Sequence, residues 1–272
     1  MRIAFIGQKG LPARSGGVER HVEEIAVRMA ERGHDVTVYA RKSYGFDQPK
    51  QYKGVRIVAM PCIATKNLDA ITATAVATVH ALFSSYDVIH YQSIGPSSLL
   101  WIIQWFKRKT AVLSTFHCAD YHHKKWSWFA RTYLRFGERI ACTRSDATVT
   151  VSRALEQYAA KTYGKSTVYI PNGSAVVRTT SRQHLRRWDL RSERYILSVS
   201  RLVKHKGIHF LIKAFKRLED TNRIPNNFRL VIVGDGSYTD EYVKYLKRLA
   251  GDRESIVFTG EQTGEVLRTL YS

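Results

Sequence analysis

Cysteine is scarce in this 272-residue chain: Cys62, Cys118 and Cys142 stand far apart, and no C-x-x-C pair occurs. That excludes a disulfide framework and suits a reducing compartment. Acid is scarce relative to base, since 23 Asp and Glu against 43 Lys and Arg leave a net charge of +20. The excess is spread along the chain rather than gathered in a tail. It acts as a field that attracts polyanions, whether nucleic acid, anionic lipid or phosphorylated small molecules. Apolar runs long enough to span a bilayer are missing. The opening Arg2-Ile3-Ala4-Phe5-Ile6-Gly7 is too short for a signal-peptide core. The expected location is cytoplasmic, at most peripheral at the inner face of a membrane. Also missing are a G-x-G-x-x-G fingerprint, a P-loop, a G-x-S-x-G elbow and any His, Cys or Asp cluster at metal-ligand spacing. No metal and no cofactor are expected.

The 44% hydrophobic and 11% aromatic content is that of a folded chain with a sizeable core. Short, β-branched apolar runs at 3–6, 36–39, 55–59, 88–91, 111–116, 147–151 and 168–170 read as strands. Amphipathic runs at 18–32, 70–84, 97–107, 125–143 and 153–163 read as helices between them. Near-continuous apolar strands alternating with helices predict a parallel sheet covered on both faces, a doubly wound Rossmann-like domain over residues 1–173. Residues 174–194 turn to Arg, Ser and Thr, which suggests a crossing at about 172–194 into a second domain, 174–272. There strands at 195–200, 229–233 and 256–259 alternate with helices at 208–218, 241–249 and 265–270. Three strands make one mononucleotide-type half of such a sheet, so this domain reads as incomplete.

Candidate functional residues cluster at strand-to-helix turns. Ser198-Val199-Ser200-Arg201-Leu202-Val203-Lys204-His205-Lys206-Gly207 joins a strand to a helix without any acid. It offers cations and a helix N-terminus to an anion, phosphate above all. A solvated basic loop is the plainer reading. Gly16-Gly17, before the first helix, allows close backbone approach to a ligand, or serves as a flexible connector. His117 ends the 111–116 strand with Asp120 nearby; it reads as a ligand contact or as a structural histidine. The run Asp120-Tyr121-His122-His123-Lys124-Lys125-Trp126 gives no metal site, because adjacent histidines diverge on a helix. Ile170-Pro171-Asn172-Gly173 reads as a plain turn, and Gly234-Asp235-Gly236 as a tight turn or a close-approach site.

Trp126, Phe129, Tyr133, Phe136 and Ile140 recur at helical spacing, which predicts one apolar face, with Lys124, Lys125, Arg131, Arg135 and Arg139 off it. Trp101-Ile102-Ile103-Gln104-Trp105-Phe106-Lys107-Arg108-Lys109 repeats the mixture. Aromatic and basic residues together suit an anionic membrane surface; a core-packed helix with a basic outer side fits the first run equally.

In order and spacing these pieces resemble glycosyltransferase family 4, the retaining nucleotide-sugar enzymes of the GT-B fold. The likeness rests on Ile6-Gly7, Gly16-Gly17-Val18-Glu19, Ser114-Thr115-Phe116-His117, Val151-Ser152, Ile170-Pro171-Asn172-Gly173, Ser200 to Gly207 and Val233-Gly234-Asp235-Gly236. The stretch from Gly7 to Glu24 resembles a branch found in bacterial polysaccharide assembly, with rhamnosyltransferase-like members. The resemblance implies two Rossmann-like domains, the acceptor mostly on the first and the donor mostly on the second. It implies Arg201 and Lys206 on the donor diphosphate, Gly16 and Gly17 near the diphosphate or acceptor, His117 on the transferred sugar and Gly234 near the nucleotide. Asn172 would belong to the crossing rather than to chemistry. The partners implied are a nucleotide-diphosphate-sugar donor, as substrate, and a carbohydrate or lipid-linked acceptor.

The family's pair of donor-binding glutamates lies later than Ser272, and Glu261 and Glu265 come too early and too close together to replace it. The chain is therefore expected to be a C-terminally truncated form. Two further readings stay open, an inactive GT-B binding module and a GT-B nucleotide-sugar epimerase. Nucleic-acid binding rests on charge alone, with no recognised motif, and is not expected.

Overall fold

The computed structural model describes residues 1–14, 16–45, 49–65, 68–119, 121, 127–173, 179, 181–236 and 240–272. Ser15, Asp120, the run 122–126 and most of 174–180 lie outside them. The chain divides into two compact units, Met1–Gly173 and Ser174–Ser272.

The first unit is built on a sheet of order β3-β4-β2-β1-β5-β6-β7-β8. Its strands are β1 (Arg2–Ile6), β2 (Asp35–Arg41), β3 (Gln51–Tyr52), β4 (Val55–Met60), β5 (Val88–Gln92), β6 (Ala111–Phe116), β7 (Ala147–Thr150) and β8 (Val168–Tyr169). All neighbours pair in parallel except β3, a two-residue edge strand antiparallel to β4. The sequence reading missed β3, because two residues are too few to show a period. Helices α1 (Gly17–Glu31), α2 (Asp69–Leu82), α3 (Ile94–Ser97), α4 (Leu100–Phe106), α5 (Trp128–Arg144) and α6 (Arg153–Tyr163) connect the strands.

Strand alternation divides the core into two layers. Ile3 and Phe5 of β1 pack with Val22 and Ala26 of α1. Ala4 and Ile6 face the other way, into a cluster with Ala77 and Ala81 of α2 and Leu100 and Ile103 of α4. Phe5 and Ile6 are fully buried, each contributing about 1.5–3 kcal/mol by leaving water. Burial on both faces is why β1 reads as an unbroken apolar run.

Two expectations need correction. The single helix at 97–107 is two, α3 and α4, with the break at Ser98 and Leu99. Ser97 Oγ donates to the Ser93 carbonyl at 2.9 Å and pairs with Ser114 Oγ at 2.8 Å, while Ser98 Oγ bonds Tyr133. Such local side-chain bonds compete with helix continuation. Nor is the buried face of α5 the aromatic stripe. Leu134, Gly137, Glu138, Ala141 and Cys142 are buried, whereas Phe129 and Phe136 are exposed. Trp126, Lys124 and Lys125 lie outside the described residues. The physical reason is Gly137, where an added Cβ would stand 2.1 Å from the Ile94 carbonyl oxygen. Only a bare backbone lets α5 approach α3 so closely. Beside it, Glu138 Oε1 accepts from the Tyr158 and Tyr163 hydroxyls at 2.9 and 2.6 Å, which makes burial of a carboxylate tolerable.

The second unit carries a parallel sheet of order β11-β10-β9, from β9 (Tyr195–Val199), β10 (Arg229–Val233) and β11 (Ile256–Gly260). Helices α7 (Ile208–Asp220), α8 (Asp240–Ala250) and α9 (Gly264–Tyr271) follow the strands. Ile208, Ile212 and Phe215 of α7 and Leu246 of α8 pack on Leu230 and Ile232 from one side. Leu185, Leu190 and Leu270 pack on Val231 and Val233 from the other. The arginine-rich stretch before β9 is therefore not all crossing, because a 3-10 turn at Gln183–Trp188 delivers Leu185 into this core. Among the described residues no helix is long and apolar enough to cross a membrane. The three cysteines form no disulfide.

Candidate functional site

In the second unit, the β9–α7 and β10–α8 loops are fastened together at the carboxyl edge of the sheet. Ser200 N–H donates to the Val233 carbonyl at 3.0 Å and Leu202 N–H to the Asp235 carbonyl at 2.9 Å. Gly234 lies at the tightest point, with φ +134°, where a Cβ would stand 1.9 Å from the Ser200 carbonyl oxygen. No side chain fits there. The chain then makes a 3-10 turn over Lys204–Lys206 and enters α7 through Gly207, with no side chain capping the helix. Phe210 N–H donates to the Gly207 carbonyl at 2.8 Å, and the amides of Ile208 and His209 at the helix start are the ones left to an anion. Arg201 and Lys206 are exposed, and among the described residues neither is in an ion pair. The fold thus brings Arg201, Gly234 and the α7 N-terminus into one loop cluster.

In the first unit, the β1–α1 loop runs along the matching sheet edge. Two buried carboxylates hold it to α1: Glu19 Oε1 accepts from Lys9 N–H at 3.2 Å, and Glu23 Oε2 from Ala13 N–H at 2.5 Å. Gly16 caps α1 without a side-chain bond, and Gly17 begins it with nothing within 4 Å of where a Cβ would sit. One turn on, His21 meets His117 edge to face, ring centroids 4.8 Å apart. So α1 carries both the Gly16–Gly17 entry and a partner for His117 that sequence reasoning missed.

Behind His117 the described side chains are polar and neutral. His117 Nε2–H donates to Gln92 Oε1 at 3.0 Å, from the buried last residue of β5. That leaves Nδ1 as an acceptor for a hydroxyl proton. Buried His90, also on β5, bonds Thr115 Oγ1 through Nε2 at 2.7 Å. Burial, then repulsion from His21, pulls the His117 pKa down to about 3. Burial, then His21 and His117, does the same to His90, also to about 3. Burial lowers His21 as well, with the Asn172 side chain opposing it. Asn172 thus belongs beside this cluster. Among the described residues, His21 Nε2 and Gln92 Nε2 are buried without a hydrogen-bond partner. A neutral imidazole with open polar atoms around it suits hydroxyl groups; it gives no cation for phosphate. Within the described residues no group of His, Cys, Asp and Glu is arranged to hold a metal ion. The only sequence signal for His90 and Gln92 is two polar residues in the otherwise apolar end of a strand, Ile89-His90-Tyr91-Gln92.

Comparison with known proteins adds relatives to this geometry. Residues 15–178 match the model of Glycosyltransferase Family 4, and residues 182–272 that of Glycosyl transferases group 1. A GDP-mannose-dependent alpha-(1-6)-phosphatidylinositol monomannoside mannosyltransferase of Mycolicibacterium smegmatis is 29% identical, covering 91% of this chain and 64% of that protein. Glycogen synthase of Mycobacterium tuberculosis is 25% identical, covering 88% of this chain and 63% of that protein. The chain therefore spans just under two thirds of the length of these relatives. Sucrose-phosphate synthase from Thermosynechococcus elongatus superposes with a TM-score of 0.79 at 18% identity, covering 99% of this chain and 73% of that one. Anabaena HepE in complex with UDP-glucose does so with a TM-score of 0.72 at 20% identity, covering 99% and 71%. The two Rossmann-like units are those of the GT-B fold, and the chain belongs to glycosyltransferase family 4.

Proposed function

We propose that the chain acts in transferring a sugar, with retention of configuration, from a nucleotide-diphosphate-sugar to a carbohydrate or lipid-linked acceptor in cell-surface polysaccharide assembly. One observation carries the reading: the contrast between the two sheet edges. The second unit presents Arg201, Lys206 and uncapped helix amides, donors suited to a diphosphate. The first presents a half-buried, neutral imidazole at His117, suited to sugar hydroxyls. In this reading the second unit is the donor side and the first the acceptor side, and Gly234 lies near the nucleotide, holding the two loops together.

The chemistry follows from charge. The bond between the sugar's anomeric carbon and the diphosphate oxygen breaks, and a bond to the acceptor oxygen forms on the same face. The acceptor proton passes to a departing phosphate oxygen. Negative charge grows on the diphosphate as the bond lengthens, so Arg201 and Lys206 stabilise the transition state more than the bound substrate. Gly17 leaves backbone at the start of α1 open to acceptor hydroxyls, with Gly16 beside it against the Glu19 carboxylate, and His117 Nδ1 accepts from a hydroxyl of the moving sugar.

Hydrogen bonds to charged groups contribute about 1.5–3 kcal/mol each. Replacing Arg201 and Lys206 together by alanine is therefore expected to weaken nucleoside-diphosphate binding by about a hundredfold or more, measured by titration calorimetry. Unchanged binding would overturn the assignment.

A further inference from the structure

We propose that the outer face of α2 and α4 in the first unit seats on an anionic lipid bilayer. Both helices are apolar on the wrong side as well as the right one. From Ala70 to Phe83 the sequence has no Asp, Glu, Lys or Arg. Its small residues Ala73, Ala77 and Ala81 go to the core, while Val76, Val79 and Phe83 line the outside. Likewise α4 sends Leu100 and Ile103 inward and leaves Trp105 70% and Phe106 72% exposed, beside half-buried Trp101 and Ile102. Phe83 is 86% exposed. Isolated exposed hydrophobic residues are ordinary, but a contiguous apolar patch marks a contact surface.

The two helices are joined at one end. Lys107 Nζ donates to the Ser84 carbonyl, which brings the C-termini of α2 and α4 side by side, so Phe83 and Phe106 sit next to the joined residues. Trp101 and Trp105 are stacked edge to face, with centroids 5.3 Å apart. This end of each helix lies at the amino edge of the sheet, where Asp87 and Ala111 lead into β5 and β6. The surface is thus separate from the carboxyl-edge loops, and the inference does not depend on the transfer reading.

Charge selects the occupant. Exposed Arg108 and Lys109 follow α4 directly, and no acidic residue occurs between Asp87 and Asp120. Exposed Arg139 and Arg144 of α5 extend the basic border, with Gln104 Nε2 tying α4 to the Arg144 carbonyl. Tryptophan and phenylalanine rimmed by lysine and arginine match a bilayer interface, where rings enter the headgroup region and cations meet anionic lipid. A spanning segment is excluded among the described residues because no helix is long enough, and a second copy of this chain would bring the same basic border against its own.

The test is co-sedimentation of the full chain with vesicles of phosphatidylcholine alone and with 30% phosphatidylglycerol, at low and high salt. Binding is expected only to the anionic vesicles and to weaken with salt. Trp105→Ser with Phe106→Ser, and separately Arg108→Glu with Lys109→Glu, are each expected to lower partitioning by about tenfold or more. Tyr245→Ser, an exposed aromatic of the second unit, should leave it unchanged. Circular dichroism confirms that each variant is folded. Equal binding to neutral vesicles, or full binding by both double variants, overturns the proposal. So does a wild-type chain that ignores vesicles but forms a dimer that Trp105→Ser with Phe106→Ser disrupts, which would make the occupant a second copy.

Discussion

Replacing Gly234 by valine is expected to unfold the carboxyl edge of the second unit and to abolish with it the nucleotide binding proposed for that edge. The Cβ alone would lie 1.9 Å from a backbone oxygen, and φ is +134°. Neither conflict can be relieved by rotating a side chain, because the obstacle is the Ser200 carbonyl. Overpacking costs about 1–3 kcal/mol and a glycine-only conformation a further 1–3 kcal/mol. The sum is a large part of the net stability of a small unit. Gly251→Ala is the comparison: φ is +66° there, but nothing lies within 4 Å of the added carbon. It should cost about 1 kcal/mol. Amide hydrogen exchange checks the outcome. Protection in β9, β10 and β11 should fall in Gly234→Val, while β1, β2 and β5 keep theirs; wild-type protection throughout would refute the close-approach account.

Mild acid should destabilise the first unit well before carboxylates titrate. His90 and His117 have native pKa values of about 3, lowered chiefly by burial, against about 6.5 in an unfolded chain. Between these values the unfolded state binds protons that the native state refuses, so stability falls as pH drops below 6.5 and is level above it. At pH 5 each histidine accounts for about 2 kcal/mol of loss, from 1.36 kcal/mol per unit. Among the described residues, the groups facing the cluster are His21 from α1 and the uncharged Gln92, Thr115 and Asn172, and none of these is an acid that could hold a proton on either ring. Urea unfolding at pH 7.5 and pH 5 measures the difference. His90→Gln should remove about 2 kcal/mol of it, because a neutral amide replaces one of the three histidines whose pKa burial lowers. A wild type equally stable at both pH values would show the cluster to be solvated.

Much of this was legible in the order of residues. Period and composition are enough to place most strands and helices of both units, because a doubly covered parallel strand must be apolar throughout and its helices must alternate with it. The basic loop at Arg201 to Lys206 is legible as a strand-to-helix turn rich in cations, and its role toward an anion rests on the function proposed above. What escaped depends on distant partners. His21, His90 and Gln92 matter only because α1, β5 and β6 meet at one edge. The buried face of α5 is decided by Gly137 against Ile94 and by the tyrosines around Glu138, and a stripe of aromatic residues gives the opposite impression.

The position of β1 has a consequence for how the chain is made. It lies between β2 and β5, with Ile3 paired to Val36 on one side and to Val88 on the other. The β2 partner is synthesised soon after, but the β5 partner is 85 residues downstream of Ile3. At about 5–20 residues per second, translation leaves that edge of Ile3-Ala4-Phe5-Ile6 unpaired for roughly 4–17 s. A nascent chain stalled before residue 88 should accordingly be held by chaperones that bind extended apolar segments, and released once β5 has cleared the ribosome.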